Sequence, residues 1–363
     1  MEKIGPTKLL KQMLETHSPS GKEGNLANLL KDQLTKLGFK NVRLDSAGNL
    51  LGELGKGPPT VLLCGHMDTI PGRLPVKIKG GRIFGRGAVD AKASLAAMIM
   101  AASELMGQAT EGRVIVAGVV DEEGRGRGIR QILQDGIDAD YALFGEPSGV
   151  ANITIGYKGR LGVRVLCETE AGHASIPNAF RNAIEKAFGL WEKIRIWTEE
   201  NRGPSPYYSV TASLTGIRGG GVSNVTPHRC TLLMDVRLPP STSCQKTMDQ
   251  IDALVRQYGK ENPIIRVKMA VEDRVEPFIA DEDSALVKAL RKAIEETVEG
   301  PVKLLRKTGT GDMNLFAEKI KVPVATYGPG NSHLSHTSNE YIEIKEYLTS
   351  IEVYRKTVER LLA

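Results

Sequence analysis

VLLCGHMDTIPG, residues 61–72, runs from an unbroken apolar stretch straight into a histidine and an aspartate two positions apart. The apolar half has the length of a buried strand. A strand apolar on both faces belongs inside a parallel sheet covered by helices on each side, because a half-exposed strand would alternate. The polar half has two readings. His66 and Asp68 either close the strand as an ordinary hydrogen-bonded turn or begin a metal site.

The same rhythm continues on both sides of this stretch. Helical spacing over 7–16 and 23–37 precedes it, and AKASLAAMIMAASELM (91–106) reads as a buried helix. VIVAGVV (114–120), IRQILQDG (129–136) and ADYALFG (139–145) follow as strand, helix and strand. The middle of the chain changes character. RLGVRVLCETE (160–170) alternates, a helix covers 178–197, and strands at 209–217 and 230–238, a helix at 249–259 and a strand at 264–271 complete a βαββαβ order. That is the ferredoxin-like split unit. After it the first style returns with SALVKALRKAIEETV (284–298), VKLLRK (302–307), VPVATYG (322–328) and a final helix over 345–362. The expected architecture is an α/β domain with a mostly parallel central sheet flanked by helices, residues 1–158 and 273–363. An α+β domain, 159–272, interrupts it.

At 363 residues the chain is long enough for two cores. Aromatic residues make up 5% of it and the net charge is +5 without a basic block, which argues against nucleic acid and suits an acidic small substrate or acidic protein partner. Cys64, Cys167, Cys230 and Cys244 form no CxxC pair and read as buried thiols of a reducing compartment. The first residues have no apolar core of a signal peptide, and the helix over 91–106 is too short to span a bilayer and carries a glutamate. A cytoplasmic location with no membrane contact is expected.

Polar residues gather where open α/β sheets build their sites, at the C-terminal ends of strands. They are His66 and Asp68, Asp90 in GRGAVDAK, Glu122 and Glu123 in VVDEEG, Glu146 in LFGEPSG, and His336 after VPVATYG. Singly each has a plain explanation: a turn, an N-cap for the helix after Asp90, a solvated acidic loop. Together they place two histidines and several carboxylates on one edge. Such a set is costly to desolvate without a divalent cation. Imidazole with carboxylate suits zinc, with cobalt and manganese as alternatives. A phosphate cradle after VIVAGVV fails because neither GxGxxG nor the P-loop spacing is present and three acids crowd the loop mouth. A serine hydrolase fails for want of GxSxG.

In order, GHMDTIPG, GRGAVDAKAS, DEEGRGRG, FGEPSG, GHASIP, NVTP, DVR, GTGD and SHTSNE resemble the M20 family of co-catalytic zinc amidohydrolases along essentially the whole chain. Within that family the chain looks most like the hydrolases of lysine and arginine biosynthesis that release an amino acid from a LysW-type carrier protein. The resemblance implies two divalent metal ions per subunit. His66 and Glu146 would hold one, Glu123 and His336 the other, with Asp90 bridging. Asp68 would orient His66, and Glu122 would be the catalytic base. The inserted domain resembles a lid through which the family forms homodimers. From it His173 would stabilise the oxyanion in a neighbouring subunit, with Asn224 nearby. A turn residue at the lid helix is the alternative reading of His173. Lys158, Arg237, Gly309 and Thr310 match positions that bind substrate; Arg237 also reads as a strand residue paired with an acid. His17 and His228 read as structural and exposed, and His333 lacks the motif setting of His336. The implied reaction is hydrolysis of the amide linking lysine or ornithine to the carrier's C-terminal glutamate. A small-molecule deacylase or desuccinylase is the alternative, and a non-hydrolytic binding protein is a further one.

Overall fold

The structure is a computed structural model that describes residues 4–105, 111–176 and 179–363. The expected helix end at Met106 and helix start at Asn178 lie outside the described residues. The chain divides into two compact units, one of residues 1–155, 280–305 and 311–363 and one of 156–279 and 306–310. The division falls a few residues from the sequence-based limits at 158/159 and 272/273. It also gives 306–310, which includes Gly309 and Thr310 of the GTGD motif, to the inserted unit.

In the first unit the sheet runs Lys40–Leu44, Leu50–Lys56, Gly112–Val119, Thr60–His66, Tyr141–Gly145, Val324–Tyr327, Asn152–Tyr157. The central strands from Gly112–Val119 to Val324–Tyr327 are parallel neighbours. The margins are antiparallel, so the sheet is mixed, with its parallel part confined to the centre. The reason is local. Asp45 accepts the backbone N–H groups of Ala47, Gly48 and Asn49, and this tight turn folds Lys40–Leu44 back on Leu50–Lys56 as a hairpin. Neither strand has the apolar run that marked the centre: KNVRL is largely polar, and glycines interrupt LLGELGK.

Thr60–His66 is buried at every position, as its composition requires. Helix Lys92–Glu104 packs against it so closely that a Cβ on Gly65 would lie 3.3 Å from the Leu95 Cβ. That helix is buried along nearly its whole length, and no helix of the described residues is long and apolar enough to cross a membrane.

The inserted unit is a four-stranded antiparallel sheet in the order Thr211–Gly219, Arg229–Leu238, Gly159–Glu168, Arg266–Val275. Helices Ala183–Glu200 and Cys244–Glu261 cover one face. The alternating strands bury Leu161, Val163, Val165, Leu232, Met234 and Val236 against Trp191, Ile194 and Ile251. Each helix starts at a side-chain cap, Asn182 and Ser243 respectively.

Candidate active site

His66 is the last residue of its strand and is 1% exposed. Its Nδ1 lies 2.9 Å from the Asp68 backbone oxygen and 3.6 Å from Asp68 Oδ1. The carbonyl fixes that face of the ring, so Nε2 faces outward. Nε2 meets Asp90 Oδ1 at 3.2 Å and Glu146 Oε1 at 3.9 Å.

Two candidates are not at strand ends: His336 follows the 3-10 turn Ser332–Leu334, beyond the strand that ends at Tyr327, and Asp90 lies in a loop. It precedes helix Lys92–Glu104, whose N-cap is Ala91 with no side-chain cap, so the carboxylate does not cap that helix. Its second oxygen, Oδ2, lies 3.4 Å from His336 Nε2. One carboxylate therefore faces a histidine on each side. His336 Nε2 also meets Glu123 Oε1 at 2.8 Å, and His336 holds a left-handed φ of 66°, a conformation that ordinary side chains avoid.

Two groups of ligand-type atoms result, His66 with Glu122 and Glu146, and Asp90 with Glu123 and His336. Within each, the atoms lie within 4.8 Å of one another. Burial pushes Glu122 well above the ordinary carboxylate range, with the Glu146 charge adding to it. Burial and the Asp90 charge raise Glu123. Burial would raise Asp90 as well, but hydrogen bonds to His336 and His66 outweigh it and hold that carboxyl low. On His66 burial acts downward and is overcome by Asp68 and Asp90, so the ring is raised well above its usual value. The Asp90 hydrogen bond, with Glu123, lifts His336 to about 9. So much carboxylate held away from water is a donor set for cations. Four carboxylates and two imidazoles in two groups, with Asp90 facing both histidines, fit two divalent ions.

Two side chains that brace this set, and a third whose buried carboxyl feels its charges, were not assigned from the sequence. Asp68 was assigned to His66, yet its carboxylate mainly holds the neighbouring loop: Oδ1 accepts the Glu122 N–H, and Oδ2 accepts the Glu123 N–H and the Ser20 hydroxyl at 2.7 Å. Ser20 was therefore one omission. Glu340, 1% exposed, accepts the N–H groups of Val89 and Asp90 at 2.9 and 3.1 Å and an Arg86 N–H at 2.8 Å. Its signal was present as the last letter of SHTSNE. Asp312, the aspartate of GTGD, is 4% exposed and burial pushes it up to about 8. Next to it, a Cβ on Gly311 would come 2.9 Å from Met313 Sδ and 3.0 Å from Glu122 Oε1, so a side chain there would press on both.

Of the weaker assignments, Lys158 is corrected. Its Nζ is buried and donates to Pro206 O, Ser209 O and Thr211 Oγ1 at 3.0, 2.7 and 3.1 Å, which commits all three N–H groups to the protein. Arg237 pairs with Asp235, as its plainer reading had it, and also donates to Thr310 Oγ1 at 3.1 Å. Gly309 has open space around it. His173 is exposed on the short strand Gly172–His173, paired with Val225–Thr226, and its Nδ1 lies 2.7 Å from Ser175 Oγ. Asn224 sits beside it, its backbone oxygen accepting the Ala174 N–H. Among the described residues neither His228 nor His333 joins a ligand group.

The family model described as peptidase family M20/M25/M40 matches residues 62–360. A putative LysW-lysine/LysW-ornithine hydrolase of Pyrococcus abyssi is 35% identical over 98% of this chain and 93% of its own length. A LysW-lysine hydrolase of Deinococcus radiodurans is 34% identical over 98% of this chain and 96% of its own length. The crystal structure of a dinuclear metal-binding M20 peptidase from Bacillus subtilis superposes with a TM-score of 0.76 at 14% identity, over 98% of this chain and 97% of that one, and so shares the fold. A family match over most of its length, and relatives above 30% identity from end to end, make this chain a member of peptidase family M20 and a metal-dependent hydrolase.

Proposed function

We propose that this chain hydrolyses the amide that joins lysine or ornithine to the C-terminal glutamate of a LysW-type amino-group carrier protein, releasing the amino acid. The observation that carries the reading is Asp90, with one oxygen 3.2 Å from His66 and the other 3.4 Å from His336, beside the half-buried Glu122. The names of the relatives from Pyrococcus abyssi and Deinococcus radiodurans support the substrate. The exposed Arg125, Arg127 and Arg130, on the loop and helix start that follow Glu123, supply positive charge for an acidic carrier.

His66 and Glu146 would hold one metal ion, Glu123 and His336 the other, and Asp90 would bridge them, with zinc the ion that best suits the donors. Bound there, such ions supply Lewis acidity, which polarises the amide carbonyl and brings the pKa of water towards neutrality. Glu122 takes the proton of the attacking water and returns it to the departing amine. Burial, with the Glu146 charge, raises its pKa, the direction that makes the carboxylate a stronger proton acceptor. His173, exposed on the inserted unit, donates to the oxyanion in the neighbouring subunit's site with Asn224 nearby, and Arg237, Gly309 and Thr310 contact the rest of the substrate. The inserted unit pairs two copies of the chain; the exposed Phe188 and Ile196 on helix Ala183–Glu200 are apolar surface for that contact. The reaction belongs to cytoplasmic biosynthesis.

The test is release of free amine from carrier-linked lysine, carrier-linked ornithine, N-acetylornithine and N-succinyl-diaminopimelate by the zinc-loaded enzyme. The carrier-linked amino acids are expected to give the highest kcat/KM, and reversing Arg125, Arg127 and Arg130 to glutamate should raise KM for those alone. Preference for the small acyl amides would replace this reading with that of a small-molecule deacylase.

A further inference from the structure

SPSGKE, residues 18–23, folds as a tight turn in which Pro19 O accepts the Lys22 N–H at 2.8 Å and Gly21 takes a left-handed φ of 81°. The turn spends its hydrogen bonds on two loops of the candidate active site. On the side of the loop after His66, Ser18 Oγ donates to Met67 O at 2.8 Å, Ser18 O accepts the Thr69 N–H, and the Ser20 N–H donates to Thr69 O. The Ser20 hydroxyl completes that side at Asp68 Oδ2. On the side of the loop that carries Glu122 and Glu123 the contact is Glu23. Its Oε1 accepts the Asp121 N–H at 3.1 Å and the Gly21 N–H at 2.8 Å.

Glu23 is the informative member. It stands at the N-cap position of helix Gly24–Lys36, where a polar side chain ordinarily bonds the helix's own free N–H groups, yet among the described residues it makes no such bond. Its side chain is instead 4% exposed and committed to Asp121. Burying a carboxylate is unfavourable unless hydrogen bonds hold it, and here two backbone N–H groups do. Asp121 has a left-handed φ of 61°, a conformation unfavourable for a residue with a side chain and kept only where the surroundings enforce it. From that residue the chain enters Glu122 and Glu123.

We propose that Glu23 is a positioning residue for the hydrolysis. Through the Asp121 N–H it fixes the direction in which Glu122 and Glu123 leave their strand, and through the turn it shares with Ser20 it sets them against Asp68 and His66. This role rests on that of Glu122 as base and of Glu123 as metal ligand.

Glu23→Asp and Glu23→Gln test it, each zinc-loaded and assayed on whichever of those amides the wild type cleaves fastest, so that the outcome does not depend on the carrier being the substrate. Aspartate keeps the charge and is a favoured N-cap residue, but it is one methylene too short for the Asp121 N–H. Glutamine keeps the reach and an accepting oxygen. In Glu23→Asp kcat is expected to fall about 10-fold or more, since roughly an ångström of misplacement costs about 100-fold, with KM within about twofold. Zinc titrated calorimetrically into the metal-free protein should bind about 10-fold more weakly in the same variant. Glu23→Gln should recover most of both. Wild-type kcat and zinc affinity in Glu23→Asp, or a larger loss in Glu23→Gln than in Glu23→Asp, overturns the proposal. Glu122→Gln, assayed alongside, separates this from a failure of the underlying roles: full activity there removes the base that Glu23 would position.

Discussion

The carboxylate of Asp68 accepts the backbone N–H of Glu122 at 3.1 Å. Its other oxygen accepts the next N–H, that of Glu123, so one buried side chain holds the proposed base and a proposed ligand in place. In Asp68→Asn an amide NH₂ would face one of these N–H groups. We expect kcat to fall about 100-fold, the effect of roughly an ångström of misplacement, and metal affinity to fall about 10- to 100-fold. Steady-state kinetics at saturating metal, with metal content by mass spectrometry, checks both. Unchanged values would leave Asp68 with His66 alone.

Glu122→Gln keeps the shape of the proposed base and removes its proton chemistry. Turnover is expected to drop by about 10²- to 10⁴-fold while two metal ions stay bound. Loss of an ion would make Glu122 a ligand, as its place beside His66 and Glu146 permits.

Glu340→Gln removes the charge facing Arg86 and disturbs the acceptor for Val89 and Asp90. Breaking a buried pair of this kind costs about 3 kcal/mol. Urea unfolding of the metal-loaded protein should show the loss, together with weaker metal retention during dialysis against a chelator. Full stability with lost metal would assign Glu340 to the site and not to the fold.

The site also sets a pH dependence in the metal-free protein. Asp312 is pushed up to about 8 from an unfolded value near 3.8, so between those values the folded state binds more protons than the unfolded one. Stability then falls as pH rises through that window. Glu122 and Glu123, raised in the same direction, add to the slope. Lys92, lowered to about 7 by burial, opposes it only from there upward. The urea midpoint of metal-free protein should therefore decline from pH 4.5 to 7, less steeply in Asp312→Asn, and added zinc should reverse the trend because the ligands bind metal deprotonated. A metal-free protein more stable at pH 7 than at 5 contradicts this.

Lys158→Met leaves Pro206 O, Ser209 O and Thr211 Oγ1 without their donor. Unpaired buried acceptors make this destabilising by about 2–3 kcal/mol, while KM for substrate stays within about twofold, since one ordinary hydrogen bond would change it more. A large KM change at full stability would restore Lys158 as a substrate ligand.

What the sequence disclosed followed burial. The strand that ends at His66 was legible because all of it is core, and the βαββαβ order was legible because its strands bury one face each. Lys40–Leu44 and Leu50–Lys56 were not, because a side-chain-supported turn and pairing with a neighbour make them strands without an apolar pattern. Among site residues, His66, Asp90, Glu122, Glu123, Glu146 and His336 announced themselves by charge at strand ends or in family motifs. Glu340 and Ser20 act through contacts with residues far away in sequence, at Asp90 and Asp68; Glu340 stood in the SHTSNE motif, but nothing in the sequence tied either residue to its partner. Lys158 was assigned by its match to a substrate-binding position of the family, and the two carbonyls and the hydroxyl that accept from it leave no pattern in the sequence.

The pairing of Val324–Tyr327 beside Tyr141–Gly145 has a consequence for synthesis. Ala142 waits for Val324, with the whole inserted unit emerging from the ribosome between them. A nascent chain that has made His66, Asp90, Glu123 and Glu146 holds four of the five proposed metal ligands but not His336. Selection of the correct ion can be completed only after nearly the entire polypeptide has been translated, so a ribosome stalled within residues 156–279 leaves an acid-rich, half-formed cup open to whatever cation is most abundant.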